Sequence, residues 1–104
     1  MFTNAIVRTP CHNMTSGITS ADLGSPIYEL AQLQHERYIN ALENCGVSVT
    51  VLEKEEDYPD STFVEDTALI TPECAVITNP GAQSRKGEVD SISAALTPFF
   101  SELE

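Results

Sequence analysis

Apolar and polar positions alternate along the first half of the chain in a pattern that predicts two strands around one helix. Residues 4–8 (NAIVR) have an apolar centre typical of a short buried strand. Residues 47–52 (VSVTVL) alternate, which places Val47, Val49 and Val51 on one strand face. Between the strands, apolar residues recur near the 3.6-residue helical period and predict a buried face formed by Ile27, Leu30, Ala31, Tyr38, Ala41, Leu42 and Cys45.

The ends of this helix are also marked in the sequence. Ser25 and Pro26 are typical of an N-cap and first helical position, and Gly46 is a typical C-terminal stop. Residues 9–25 have no period and predict a long loop of the kind that often forms a lid. A strand–helix–strand order favours parallel pairing and an α/β architecture.

The second half predicts a hairpin followed by a helix. Residues 53–60 form an acidic turn, and residues 62–70 and 74–78 have the β-branched and apolar content of paired strands. An Asn-Pro-Gly break at 79–81 precedes a helix from about Ser84 to Leu96, which Pro98 ends. Its inward positions are Val89, Ile92, Ala95 and Leu96, and no strand is predicted after it.

Composition narrows the classes of function. The 104 residues allow one small domain. Sixteen acidic against five basic residues give a net charge of −11, which argues against a nucleic-acid partner. No apolar run predicts a membrane span, and no secretory signal is visible. Three cysteines without a CxxC spacing predict reduced thiols in a cytoplasmic protein, and no metal site is indicated.

Three groups of residues could carry chemistry. Glu65 and Asp66 interrupt an otherwise apolar strand; they form either a ligand site, a solvated strand end, or a salt bridge to Arg8. Alternation would point them to opposite faces. Arg85 either forms part of a solvated pair or reaches a ligand carboxylate. Neighbouring Cys11 and His12 could act as nucleophile and base, although adjacent residues rarely face each other.

Four segments carry a family resemblance: 5–11 (AIVRTPC), 34–37 (QHER), 58–67 (YPDSTFVEDT) and 79–82 (NPGA) with Arg85. In this order they resemble the dimethylarginine dimethylaminohydrolase family of the pentein superfamily. The resemblance implies an α/β fold built from pentein-type αβ modules, with mixed sheets and amphipathic helices. Five such modules form a propeller in the family. This single 104-residue domain would hold about two: module one at about 1–53, and an incomplete module two at about 54–104.

The resemblance also implies a chemistry. Family members hydrolyse methylated arginine to citrulline and methylamines through a cysteine nucleophile and a histidine acid–base, without metal or organic cofactor. Both catalytic residues would lie beyond residue 104, so the chain would contain no catalytic residue. Asp66 would bind the substrate guanidinium with Glu65 beside it, Asp60 the α-amino group and Arg85 the α-carboxylate. Ile18, next to Gly17, would belong to the lid.

Two interpretations follow. The first is the N-terminal, substrate-binding portion of a dimethylargininase-like hydrolase that is inactive alone. The alternative is a non-catalytic half-pentein that assembles with itself or with a partner and binds arginine-like small molecules, or serves as a scaffold without a ligand. In either case we expect exposed apolar surface along 63–70 and 89–100. That surface predicts a homodimer, or association with the missing C-terminal half.

Overall fold

A computed structural model describes residues 2–18, 24–101 and 103. The chain divides into two compact units, Met1–Thr62 and Phe63–Glu104. The predicted loop at 9–25 therefore lies partly outside the described residues. Within those residues no helix is long and apolar enough to cross a membrane.

The first unit is a parallel strand pair joined by a helix, as predicted. Strand β1 (Asn4–Arg8) pairs in parallel with strand β2 (Ser48–Leu52), from Asn4 opposite Ser48 to Arg8 opposite Leu52. Helix α1 (Tyr28–Asn44) forms the crossover between them. The loop after β1 contains a 3₁₀ segment at His12–Ser16 that the sequence pattern did not predict.

The ends of α1 agree with the sequence only at the C-terminus. Gly46 follows the helix with a φ of 84°, a left-handed conformation that favours glycine. At the other end the helix begins at Tyr28, and Ile27 is an N-cap without a side-chain hydrogen bond. The prediction that Ser25 and Pro26 open the helix is therefore wrong by about two residues.

The predicted buried face of α1 is also largely wrong. Five of its seven residues are exposed: Ile27, Leu30, Tyr38, Ala41 and Cys45. The less exposed positions are Tyr28, Ala31, Gln32, His35, Ile39 and Leu42. The helix carries apolar residues on two faces, so the sequence periodicity alone could not tell which one packs against β2.

The second unit is a short hairpin followed by a helix. Strands β3 (Ala68–Ile70) and β4 (Ala75–Ile77) pair antiparallel, which confirms the hairpin. Helix α2 (Val89–Leu96) is shorter than predicted because residues Gln83–Glu88 form a 3₁₀ segment. Ile92 and Leu96 are buried, as predicted. Leu103 makes an isolated parallel bridge to Ala75.

Residues 62–67 do not extend β3, contrary to the sequence prediction. Val64–Thr67 is a 3₁₀ turn, and the strand begins only at Ala68. The strand-alternation argument that separated Glu65 from Asp66 therefore does not hold, and both residues are exposed. Thr67, which is fully buried, donates a hydrogen bond to the Val64 carbonyl at 2.6 Å and closes the turn.

Candidate functional site

In the first unit, Asp60 is a buried carboxylate beside the loop that follows β1. It is 7% exposed. The backbone N–H of Ile18 approaches both of its oxygens, at 3.2 and 3.1 Å. A backbone turn from Tyr58 to Ser61 carries the aspartate. Ile18 and Asp60, both predicted site residues, are thus brought together, while the Ile18 side chain stays exposed.

The contact between Ile18 and Asp60 depends on Gly17. A β-carbon at residue 17 would lie 2.4 Å from Asp60 Oδ1 and 3.0 Å from the Met14 carbonyl oxygen. The φ of Gly17 is −66°, which any residue can adopt. Glycine is therefore favoured here by the space available and not by backbone conformation.

Arg8 anchors the segment that carries Asp60. Its buried guanidinium donates to the Glu53 carbonyl oxygen at 2.6 Å and lies 3.5 Å from a Glu55 oxygen. The Thr62 hydroxyl in turn donates to the Arg8 carbonyl at 2.9 Å. The salt bridge that the structure gives Arg8 is thus to Glu55 and not to Glu65 or Asp66. Asp66 pairs instead with Arg85.

The structure contradicts a nucleophile–base pair at Cys11 and His12. The Cys11 thiol is buried against Asn13 Oδ1 at 2.6 Å and the Tyr58 carbonyl at 3.4 Å, and burial raises its pKa. The His12 ring instead stacks on Tyr28 at 4.1 Å and meets Glu56 at 3.2 Å, which lowers the pKa of Glu56. A thiol with a raised pKa is a poor nucleophile.

The described residues contain no disulfide. All three cysteines are free; Cys45 is exposed and Cys74 is half-buried. His35 lies on the inner side of α1, where burial lowers its pKa. Among the described residues, no group of histidine, cysteine and carboxylate side chains is arranged to hold a metal ion.

In the second unit, Arg85 joins two carboxylates. Its Nη1 lies 2.5 Å from Asp66 Oδ2. On its other side, Nε and Nη2 donate to the two oxygens of Glu88 at 2.9 and 2.8 Å. Nη2 also donates to the Phe63 carbonyl at 2.8 Å. Hydrogen bonding to Glu88 and then Asp66 raises the Arg85 pKa, so the guanidinium stays charged.

Exposure separates the members of this cluster, which we call the Arg85 cluster (Asp66, Arg85 and Glu88). The Asp66 side chain is 59% exposed, whereas those of Arg85 and Glu88 are 11% and 3% exposed. Glu65 is exposed beside Asp66. Two carboxylates against one guanidinium leave the cluster with a net charge of −1, presented to solvent through Asp66. Such an arrangement can attract a cationic ligand group.

The sequence analysis named Asp60, Asp66 and Arg85 as candidates but did not anticipate Glu88 or the pairing of Arg8 with Glu55. Glu88 stands three residues after Arg85, a spacing at which side chains meet on a helical segment. This spacing could have indicated the Arg85–Glu88 ion pair from the sequence. For Arg8 and Glu55, which are far apart in sequence, no local pattern could have indicated the pair.

Comparisons with a family model, with a relative and with solved structures agree with one another. The family model for eukaryotic N,N dimethylarginine dimethylhydrolase matches residues 13–101. The N(G),N(G)-dimethylarginine dimethylaminohydrolase of Pseudomonas aeruginosa is 47% identical over 100 residues. That alignment covers 96% of this chain but only 39% of the relative, so the chain spans well under half of the relative's length.

Two solved structures share the fold over the whole chain. One is a dimethylarginine dimethylaminohydrolase adduct with S-methyl-L-thiocitrulline, with 46% identity and a TM-score of 0.97; the chain covers 41% of it. The other is the Pseudomonas aeruginosa enzyme complexed with citrulline, with 43% identity and a TM-score of 0.95; the chain covers 42% of it. The expected α/β pentein-like fold is thereby confirmed.

Proposed function

Because the chain belongs to the dimethylarginine dimethylaminohydrolase family, we propose that it is the N-terminal substrate-binding portion of a hydrolase that converts methylated arginine to citrulline and methylamines. In this proposal it supplies about two of the five pentein modules, and the cysteine nucleophile lies outside the chain. The Cys11 thiol supports this placement of the nucleophile, because it is buried and burial raises its pKa.

The observation that carries the proposal is the exposed Asp66 carboxylate beside a buried ion pair. Asp66 would accept hydrogen bonds from the substrate guanidinium, a planar cation that carboxylates bind in a charge-assisted way. Glu65, exposed next to it, adds a second negative charge. Arg85 would pair with the α-carboxylate of the substrate while its far edge stays on Glu88.

Asp60 is proposed to bind the substrate α-amino group. Both oxygens of its carboxylate already lie within hydrogen-bond distance of the Ile18 N–H. The carboxylate is therefore oriented before a ligand binds. An ammonium group is a compact donor of three hydrogen bonds and suits a carboxylate of this kind. The loop at Gly17 and Ile18 would then close over the bound amino group as the lid.

A titration of the 104-residue chain with N,N-dimethylarginine, followed by NMR, tests these roles. We expect weak binding, because ion pairs open to water each contribute about 0–1 kcal/mol. Asp66→Asn should weaken binding by about two- to fivefold, and the exposed α2 substitution Asp90→Asn should not. The same samples should form no citrulline. Equal affinity in the two variants would contradict the proposal. So would citrulline formation by the unmodified chain that Cys11→Ser abolishes.

Self-association is a second candidate function, favoured by the outward face of α1. Ile27, Leu30 and Tyr38 are 62%, 48% and 54% exposed on this face, a large apolar area for one helix. Phe63, Leu69 and Ile70 in the second unit are also exposed, as expected from the sequence. We propose that the chain forms a homodimer through the α1 face.

Sedimentation at micromolar concentration tests the homodimer. We expect a dimer for the unmodified chain and a shift towards monomer for Leu30→Glu, because burying a carboxylate in an apolar interface is costly. Glu29→Gln, an exposed change on another side of α1, serves as the control and should remain dimeric. A monomeric unmodified chain would contradict the proposal.

A further inference from the structure

Glu88 is a buried carboxylate that the proposed substrate contacts do not include. Its side chain is 3% exposed, at the point where the 3₁₀ segment joins α2. Removing a carboxylate from water costs several kcal/mol unless a cation and hydrogen bonds compensate. Arg85 supplies both, through two parallel N–H donors. The chain therefore maintains this buried charge at a defined place, directly behind a proposed ligand-binding residue.

The two hydrogen bonds to Glu88 fix the orientation of the whole guanidinium. Because the group is planar and rigid, holding its Nε and Nη2 atoms also sets the direction of Nη1. Nη1 is the atom that meets Asp66. Nη2 additionally meets the Phe63 carbonyl, at the start of the 3₁₀ turn that carries Asp66. The buried Glu88 carboxylate is thus linked, through Arg85, to both the backbone and the carboxylate of the Asp66 turn.

The turn is fixed from its other side as well. The Thr78 hydroxyl donates to the Asp66 carbonyl at 2.7 Å, and the Thr78 N–H donates to the Thr67 carbonyl at 3.0 Å. These bonds fix the backbone of the turn but do not orient the Asp66 carboxylate. Arg85 meets the Asp66 side chain, and Glu88 accepts two of the hydrogen bonds that orient Arg85.

Glu88 also changes the charge that a ligand meets. A guanidinium paired with Asp66 alone would form a neutral pair, whereas the Arg85 cluster has a net charge of −1. Two ion pairs separate Glu88 from a ligand on Asp66, a distance on the order of 10 Å, over which one unit charge in near-aqueous screening changes cation affinity by about twofold. The effect should be specific to a charged ligand end, because an uncharged end of the same shape does not gain from it.

We propose that Glu88 is a positioning residue: it holds the Arg85 guanidinium from behind, so that Asp66 is oriented towards the ligand and keeps its negative charge available for a cationic guanidino group. This proposal rests on the proposed role of Asp66. It assigns no contact between Glu88 and the ligand.

The test compares two ligands that differ in the charge of one end. N,N-dimethylarginine carries a cationic guanidinium, and citrulline carries a neutral ureido group on the same amino-acid backbone. In Glu88→Gln, whose amide cannot accept both donors, we expect lost charge and lost orientation together to lower dimethylarginine affinity about three- to tenfold. Citrulline affinity should fall at least twofold less, because citrulline shares only the proposed contact between its α-carboxylate and Arg85. Glu73→Gln removes one exposed charge from the same unit and should change neither.

A second variant separates geometry from charge. Glu88→Asp keeps the charge but withdraws the carboxylate by one methylene, so it should also weaken dimethylarginine binding. If Glu88→Gln does not fold, this variant carries the test. Equal weakening of both ligands would indicate a merely structural role and would overturn the inference, as would variants that behave like Glu73→Gln.

A ligand-free measurement distinguishes failure of this inference from failure of the proposed function. Hydrogen exchange of the Arg85 Nε–H should be slow in the unmodified chain and at least about tenfold faster in Glu88→Gln, because the bond to Glu88 protects it. If the unmodified chain binds neither ligand, the proposed function fails. In that case the exchange experiment still tests whether Glu88 orients Arg85. Loss of Nε–H protection in Glu88→Gln supports the role of Glu88, and retained protection overturns it.

Discussion

Asp60 and Asp66 are close in sequence, yet the two units hold them in opposite ways. Asp60 is buried and accepts from the backbone N–H of Ile18, in a space that remains open only because residue 17 is glycine. Asp66 is exposed and paired with Arg85, which donates two hydrogen bonds to the buried Glu88 on its other side. The first carboxylate is positioned by shape, and the second by charge.

This difference determines what each region should tolerate. A carboxylate held by backbone geometry should be sensitive to added volume, because interior atoms cannot move apart without losing contacts. A carboxylate held by an ion pair should be sensitive to removal of the cation, because a partner charge is then left in a poorly solvated position. Substitutions of each kind can therefore confirm or break the contrast.

The largest effect is expected for Arg85→Met, which keeps the length of the side chain and removes its charge. Glu88 would then stay buried without its cation, at a cost of about 3–5 kcal/mol in unfolding free energy. That is a large part of the stability of a small domain. Urea unfolding measures the loss, and hydrogen exchange should show it among the amides around Glu88.

Two controls accompany this prediction. Arg37→Met removes an exposed cation from α1 and should change the unfolding free energy by less than about 0.5 kcal/mol. The double variant Arg85→Met with Glu88→Met removes both charges, and the non-additivity should be about 0.5–3 kcal/mol. An Arg85→Met loss no larger than that of Arg37→Met would show that charge does not hold this region.

Local patterns predicted the strands and connections of both units but not which surfaces they bury. β1 has the predicted bounds, and the β3–β4 hairpin and parallel crossover are confirmed. The inner face of α1 was wrong because Leu30 and Tyr38 are as apolar as residues that do pack. Periodicity reports an apolar face, and burial depends on what the rest of the unit can cover.

The candidate site was predictable as a set of residue types but not as an arrangement. The family resemblance named Asp60, Asp66 and Arg85, and their roles stay predictions. The β-branched content of residues 62–70 indicated a strand, yet a 3₁₀ turn forms where Arg85 binds the Phe63 carbonyl and Asp66. Tertiary hydrogen bonds overrode local propensity there. Such bonds join residues whose separation in sequence carries no pattern.

A smaller effect is expected for Gly17→Ala, which adds one methyl group beside Asp60. The added β-carbon would lie 2.4 Å from Asp60 Oδ1, so the carboxylate must shift and the contact with the Ile18 N–H must weaken. A lost hydrogen bond and local overpacking each cost about 1 kcal/mol or more. Replacing glycine also restricts the unfolded chain, which offsets about 0.4–1 kcal/mol of this cost.

Gly81→Ala isolates the steric contribution of Gly17→Ala, because nothing lies within 4 Å of a β-carbon at residue 81. This control gains the same unfolded-state restriction without the collision, so it should be neutral or slightly stabilising. We expect the two alanine variants to differ by about 1–2 kcal/mol in urea unfolding. The Ile18 amide resonance should move only in Gly17→Ala, because only that substitution displaces its acceptor. If the two variants have equal unfolding free energy and the Ile18 amide resonance does not move, the added methyl group does not displace Asp60. In that case the space beside Gly17 does not determine the position of the Asp60 carboxylate.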